Sequence, residues 1–189
     1  MVNATPTLFW SFVGLALVVA AAFVLGVHRA AIATAHPDPR RLAIMTAGLT
    51  AVWLVVTAGL AAGGLLSFTS RPPTMILLVL AISAVAAWVA TSDVGTRLAT
   101  GLPLAVLVGV QGFRFPLELI MHRASTEGLM PIQMSYSGRN FDIISGVSGL
   151  ILGILLLSGS RVPRFIVLAW NVLGLALLVQ ESTRWKGFL

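Results

Sequence analysis

Gln111, Arg114, Glu118 and His122 follow one another at steps of three, four and four residues. On a helix that spacing sets a carboxamide, a guanidinium, a carboxylate and an imidazole along one stripe. Such a stripe can hold an anion on the arginine, carry a proton on the carboxyl or imidazole, or pair internally. Arg114 and Glu118, one turn apart, are natural intrahelical partners. Pro116 lies between them and cannot donate a backbone hydrogen bond to the Gly112 carbonyl, which predicts a kink beside Arg114. The polar run continues with Gln133, Tyr136, Arg139, Asn140 and Asp142. Asp142 shares a helical face with Ser145 and Gly149, so it should point at a neighbouring helix, with Arg114 or Arg139 as counter-ion. These nine polar residues, all between 111 and 142, form the candidate ligand-binding site.

Other chemistries fit less well. Glu118 and His122 are spaced for a metal, but two ligands are too few, and the chain has three His and no Cys. Thiolate catalysis and disulfides are excluded outright. A bis-histidine haem needs two imidazoles at one depth, whereas His28 closes the first span and His122 the fourth, on opposite faces. No metal and no cofactor is expected. An enzyme would use Glu118, His122 and Asp142 as acid/base groups, with hydroxyls from Ser135, Tyr136 and Ser137. Neither a G-x-S-x-G motif nor a glycine-rich phosphate loop accompanies them.

The elements that carry these residues are apolar. Of 189 residues 58% are hydrophobic and only 10% charged, too little polar surface to cover a soluble domain of this length. A bilayer core of about 30 Å takes about 20 helical residues, and backbone groups within it must be satisfied inside the segment. The runs are continuously apolar rather than alternating, which selects helices. The expected fold is all-α: a single polytopic transmembrane domain over 1–189, with about six spans at 8–27, 42–66, 75–91, 103–124, 141–158 and 165–179. Leu8–Val27 reads as a retained helix, because no basic residue precedes it as a signal peptide would require. If the fourth span starts at Pro103, Arg114 lies about 17 Å along it, near mid-membrane. If it starts near Val94, the stripe is a wet helix end.

The net charge of +6, eleven Arg and one Lys, is scattered between apolar runs. That pattern fits interfacial anchoring on anionic lipid rather than nucleic acid. With the N-terminus outside, cytoplasmic loops hold Arg29, Arg40, Arg41, Arg97, Arg161 and Arg164. The opposite side holds Arg71, Arg123, Arg139, Arg184 and Lys186, so the count is six against five. The bare N-terminus, followed by three Arg after the first span, favours this orientation. Small residues recur at Gly59 and Gly63 and at Ser145, Gly149 and Gly153, spacings that let helices approach closely. Met130, Ile132 and Met134 are too apolar for an exposed loop, so that segment is expected to fold back against the bundle.

The stretch FRFPLELIMHR…EGLMPIQMSYSGRNFDIISG also resembles a pattern in small bacterial integral membrane proteins, FR-x-P-x-E-L followed by G-x-x-P-x-x-M-T-[FY]-x-G-x-N-F-D-I-x-x-G. Phe113, Arg114, Pro116, Glu118, Leu119, Gly128, Pro131, Met134, Tyr136, Gly138, Asn140, Phe141, Asp142, Ile143 and Gly146 match it, and Ser135 replaces the usual Thr. The resemblance implies a multi-pass protein of a bacterial inner membrane and carries no particular activity with it. Three readings follow. The first is transport or binding of a small polar or anionic solute or ion, with Arg114 as anchor and Glu118 and Asp142 as proton or ion carriers. The second is a non-catalytic membrane subunit, sensor or assembly partner. The third is the membrane-embedded enzyme. Six helices leave little room for a pathway, so a homodimer or a membrane partner protein is expected, in contact with membrane lipids.

Overall fold

The computed structural model describes residues 4–65, 74–138 and 142–184, with backbone alone at 75, 134, 175 and 177–184. It is all-α, and the described residues form seven helices: α1 (Pro6–Ala33), α2 (Pro39–Ala62), α3 (Thr74–Thr91), α4 (Asp93–Gly101), α5 (Leu104–Thr126), α6 (Asp142–Leu157) and α7 (Arg164–Arg184). Three of them, α1, α2 and α5, are long and apolar enough to cross a membrane. The bent pair α3–α4 makes four if it counts as one span. The chain is thus built as a multi-span membrane protein. Asp142–Leu157 and Arg164–Gly174 are shorter apolar helices.

The helix ends follow local chemistry. Thr5 caps α1 through Leu8 N–H at 3.4 Å, with Pro6 as the first helical residue. Asp38 caps α2 by accepting the Arg41 N–H at 2.9 Å, again with a proline following. The first helix runs past the expected end at Val27 to Ala33, since Ala30 and Ala31 are fully buried while Arg29 stays exposed. It closes with Ala35 at φ +49, a conformation that glycine takes at the end of α5, where Gly128 has φ +74. Ser92 ends α3 as the sequence predicts. The following helix α4, which the sequence reading left as a connection, leaves it at 64°. Ser92 Oγ accepts the Gly95 N–H at 3.4 Å. A Cβ on Gly95 would collide with the Val89 and Ala90 carbonyls, so the bend needs glycine there.

The chain divides into two compact units, one of Met1–Val19 and Pro103–Leu189, the other of Ala20–Leu102. In the first, α5 and α6 meet backbone to backbone. A Cβ on Gly153 would lie 2.6 Å from Gly109 Cα, and one on Gly146 would lie 2.5 Å from the Phe115 nitrogen. Lipid tails are as apolar as leucine, so helices in a bilayer associate through such close packing and through polar bonds. Trp170 of α7 supplies one, donating Nε1–H to Ser148 Oγ at 2.8 Å. The expected small-residue face of α6 is therefore in use, with Gly146 added to it. On α2, among the described residues, nothing lies within 4 Å of where a Gly59 Cβ would stand, and none of its residues is buried.

Candidate functional site

α5 positions the stripe. It starts at Leu104 behind Pro103, so Arg114 sits one residue from the middle of a 23-residue helix. The helix thus starts at Pro103, as the deeper of the two expected placements requires, and not near Val94. The helix tightens to 3-10 geometry over Val110–Phe113 and resumes as α-helix at Arg114. Pro116 then falls in the first turn of the resumed helix, where a missing N–H costs least. A 3-10 turn thus lies where the kink is expected, and the helix continues as one element from Leu104 to Thr126.

Arg114 reaches across to α6. Its Nη1 lies 2.8 Å from Asp142 Oδ1, and both side chains are about four-fifths buried, 20% and 19% exposed. The counter-ion is one of the two the sequence allowed for Asp142. The ion pair shown for Arg114 is therefore interhelical, with Asp142 in place of the expected Glu118. Gly146 makes this reach short, because its missing side chain lets α6 press on the Arg114–Phe115 backbone. Asp142 stands in the first turn of α6, where a carboxylate offsets the positive helix end. Its carbonyl accepts a hydrogen bond from buried Ser145.

One turn along α5, Glu118 is 1% exposed. A carboxyl so deep must be held by donors or carry its proton. Gln111, on the other side of Arg114, is half-buried with its Cβ beside Gly149. The end of the stripe forms a second cluster. His122 Nδ1 lies 2.9 Å from Ser137 Oγ, which is 2.8 Å from Ser135 Oγ. The Tyr136 ring packs on the imidazole at 4.7 Å between centroids. Ser135 is fully buried, whereas Ile132 and Gln133 are exposed. The loop does fold back on α5, through its hydroxyl residues; of the apolar residues expected to do so, Met130 is half-buried, Ile132 is exposed and the Met134 side chain lies outside the described residues. Gly138 allows this turn, since a Cβ there would strike the Ile132 carbonyl. Of the nine candidates, Arg114 and Asp142 meet directly, and His122 meets Tyr136. Gln133 lies outside both groups, and Arg139 and Asn140 lie outside the described residues.

Glu127 belongs to a polar cluster that the sequence reading did not single out. Its carboxylate accepts the Thr5 N–H at 3.2 Å and the Thr5 hydroxyl at 2.9 Å, and Arg123 Nε lies 2.8 Å away. The Arg123 hydrogen bond, with help from Thr5, holds its carboxyl below the ordinary glutamate range against the opposing effect of burial. The visible signal was Thr5-Pro6, a helix-cap pair that leaves the Thr5 N–H itself in need of an acceptor.

Among the described residues, no three His, Asp or Glu side chains gather as a metal site would require. No protein-family model, curated protein or solved structure matches the chain.

Proposed function

We propose that this is a six-span protein of a bacterial inner membrane that binds a small polar solute or ion between α5 and α6 and carries it across. The observation that carries this reading is the Arg114–Asp142 pair, four-fifths buried at the middle of a span and one turn from a fully buried carboxyl. Intramembrane charge is costly, and its usual justification is a path for substrate or protons. Because Asp142 already neutralises Arg114, the favoured cargo is a proton, a cation or a neutral polar solute, with Glu118 as the carrier. An anion would have to displace Asp142. The bacterial family suggested by residues 113–146, the single-domain organisation and a homodimeric assembly belong to the same proposal.

The six-span count draws support from Thr5 on Glu127. That bond brings the start of α1 and the end of α5 to one membrane face, which calls for an even number of crossings. α1, α2 and α5 supply three, so α3 with α4 counts as one broken span and not a re-entrant loop. α6 and α7 complete six, and residues 4 and 184 share a side. The basic loops then face the cytoplasm, with the N-terminus outside.

Flux in proteoliposomes tests the function. Glu118→Gln should abolish pH-driven solute or proton flux while leaving the protein monodisperse in detergent. A second reading, a purely structural pair, is favoured by how tightly Gly146 locks the two helices. Exchanging the charges, Arg114→Asp with Asp142→Arg, separates the two. A structural pair predicts recovery of both fold and flux, whereas a carrier site predicts recovery of the fold alone.

A further inference from the structure

The arginines divide by what they touch. Arg114 and Arg123 each meet a carboxylate oxygen at 2.8 Å. Among the described residues, Arg29, Arg40, Arg41, Arg97, Arg161 and Arg164 form no ion pair. The first four lie at one end of the Ala20–Leu102 unit. His28 Nδ1 is 3.3 Å from the carbonyl of Pro39, which places Arg29 beside the start of α2 and its next residues, Arg40 and Arg41. Arg97 of α4 donates to Thr34 Oγ1 at 2.9 Å, just beyond the last turn of α1. A Cβ on Gly101 would lie 2.8 Å from the Ala30 carbonyl, so α4 is pressed against that turn.

Two acids share this end, and both serve helix ends. Asp38 accepts the Arg41 backbone N–H, and Asp93 stands in the first turn of α4. Four arginines against these two carboxylates leave a surplus of +2 (+4 − 2), in a setting where Arg29, Arg40 and Arg41 are exposed. Directly inward of them lie the exposed apolar side chains Leu25, Ile44 and Met45.

We propose that this end of the protein binds the phosphates of anionic phospholipid headgroups, with acyl chains lying along Leu25, Ile44 and Met45. A guanidinium presents a fork of donors that matches phosphate oxygens two at a time. A surface arginine is also drawn to an anionic leaflet. The adjoining apolar strip is what selects a lipid over free phosphate, because inorganic phosphate gains nothing from it. The proposal is independent of the site around Arg114.

Native mass spectrometry of the whole chain, released from neutral detergent with equal amounts of phosphatidylglycerol and phosphatidylcholine, tests it. The expected result is preferential retention of phosphatidylglycerol. Arg40→Gln with Arg41→Gln should weaken that retention by about 30-fold, and Arg40→Lys with Arg41→Lys should keep most of it. If the glutamine variant does not fold, raising salt on the unaltered protein gives the same answer, since headgroup pairing must weaken as salt screens it. Equal retention of the two lipids overturns the proposal. So does a preference indifferent to both salt and charge, or displacement of the lipid by millimolar inorganic phosphate.

Discussion

Arg114 and Arg97 each place Nη1 within 2.9 Å of a side-chain oxygen on another segment, yet the oxygens differ in kind. Arg114 meets the carboxylate of Asp142, and Arg97 the hydroxyl of Thr34. The first is four-fifths buried at the middle of a membrane-length helix, where the protein itself provides the opposing charge. The second sits beside the end of α1, where a hydroxyl orients it. For these two arginines partner and depth go together, although Arg123, 66% exposed on Glu127, shows that a carboxylate by itself does not mark a deep arginine. The surroundings agree: glycines draw α6 onto the Arg114 backbone, while Arg29, Arg40 and Arg41 stay exposed.

Removing each partner is the sharpest way to break this comparison. Asp142→Ala leaves a guanidinium stranded in the bundle and should cost about 3 kcal/mol, seen as an early unfolding transition in detergent. Next comes the packing that makes the pair short. Gly146→Ala sets a Cβ against the Phe115 nitrogen and should cost about 2 kcal/mol, whereas Gly59→Ala on the unpartnered α2 should stay within about 0.5 kcal/mol. Thr34→Val, which removes the hydroxyl that accepts from Arg97 and donates to the Ala30 carbonyl, should cost about 1 kcal/mol by the same thermal measurement. If it costs as much as Asp142→Ala, the two arginines are equivalent and the depth argument fails.

Acidification gives the smallest effect. Glu127 has its folded pKa lowered, so its contribution is complete above the ordinary glutamate value and fades as pH falls through the folded one. Hydrogen exchange in the first turn of α1 should therefore speed up at low pH, and Glu127→Gln should remove that dependence. A first turn equally protected at all pH values would rule out the Thr5–Glu127 bond as its anchor.

Much of this was legible beforehand. Apolar runs and Pro103 marked helices and breaks to within a few residues, because prolines act locally, whereas Pro39, which reads as part of a loop, opens α2. The stripe from Gln111 to His122 was readable because helical spacing is a local property too. The 3-10 turn before Arg114 was not, since the strain at Pro116 can relax as a kink or as tighter winding, and the close contact with α6 is present only in the folded bundle. Nor was Glu127, whose partner lies 122 residues away.

Sequence alone determined that this chain is helical and suited to a membrane, because continuous apolar runs, unlike the alternating ones of a closed barrel, satisfy their backbone there as helices. It also marked which few ionisable groups fall within the spans. Tertiary structure alone decided which carboxylate Arg114 meets. Asp142 and Glu118 are equivalent in charge, and only the glycine contacts that bring α6 onto α5 put one of them within 2.8 Å.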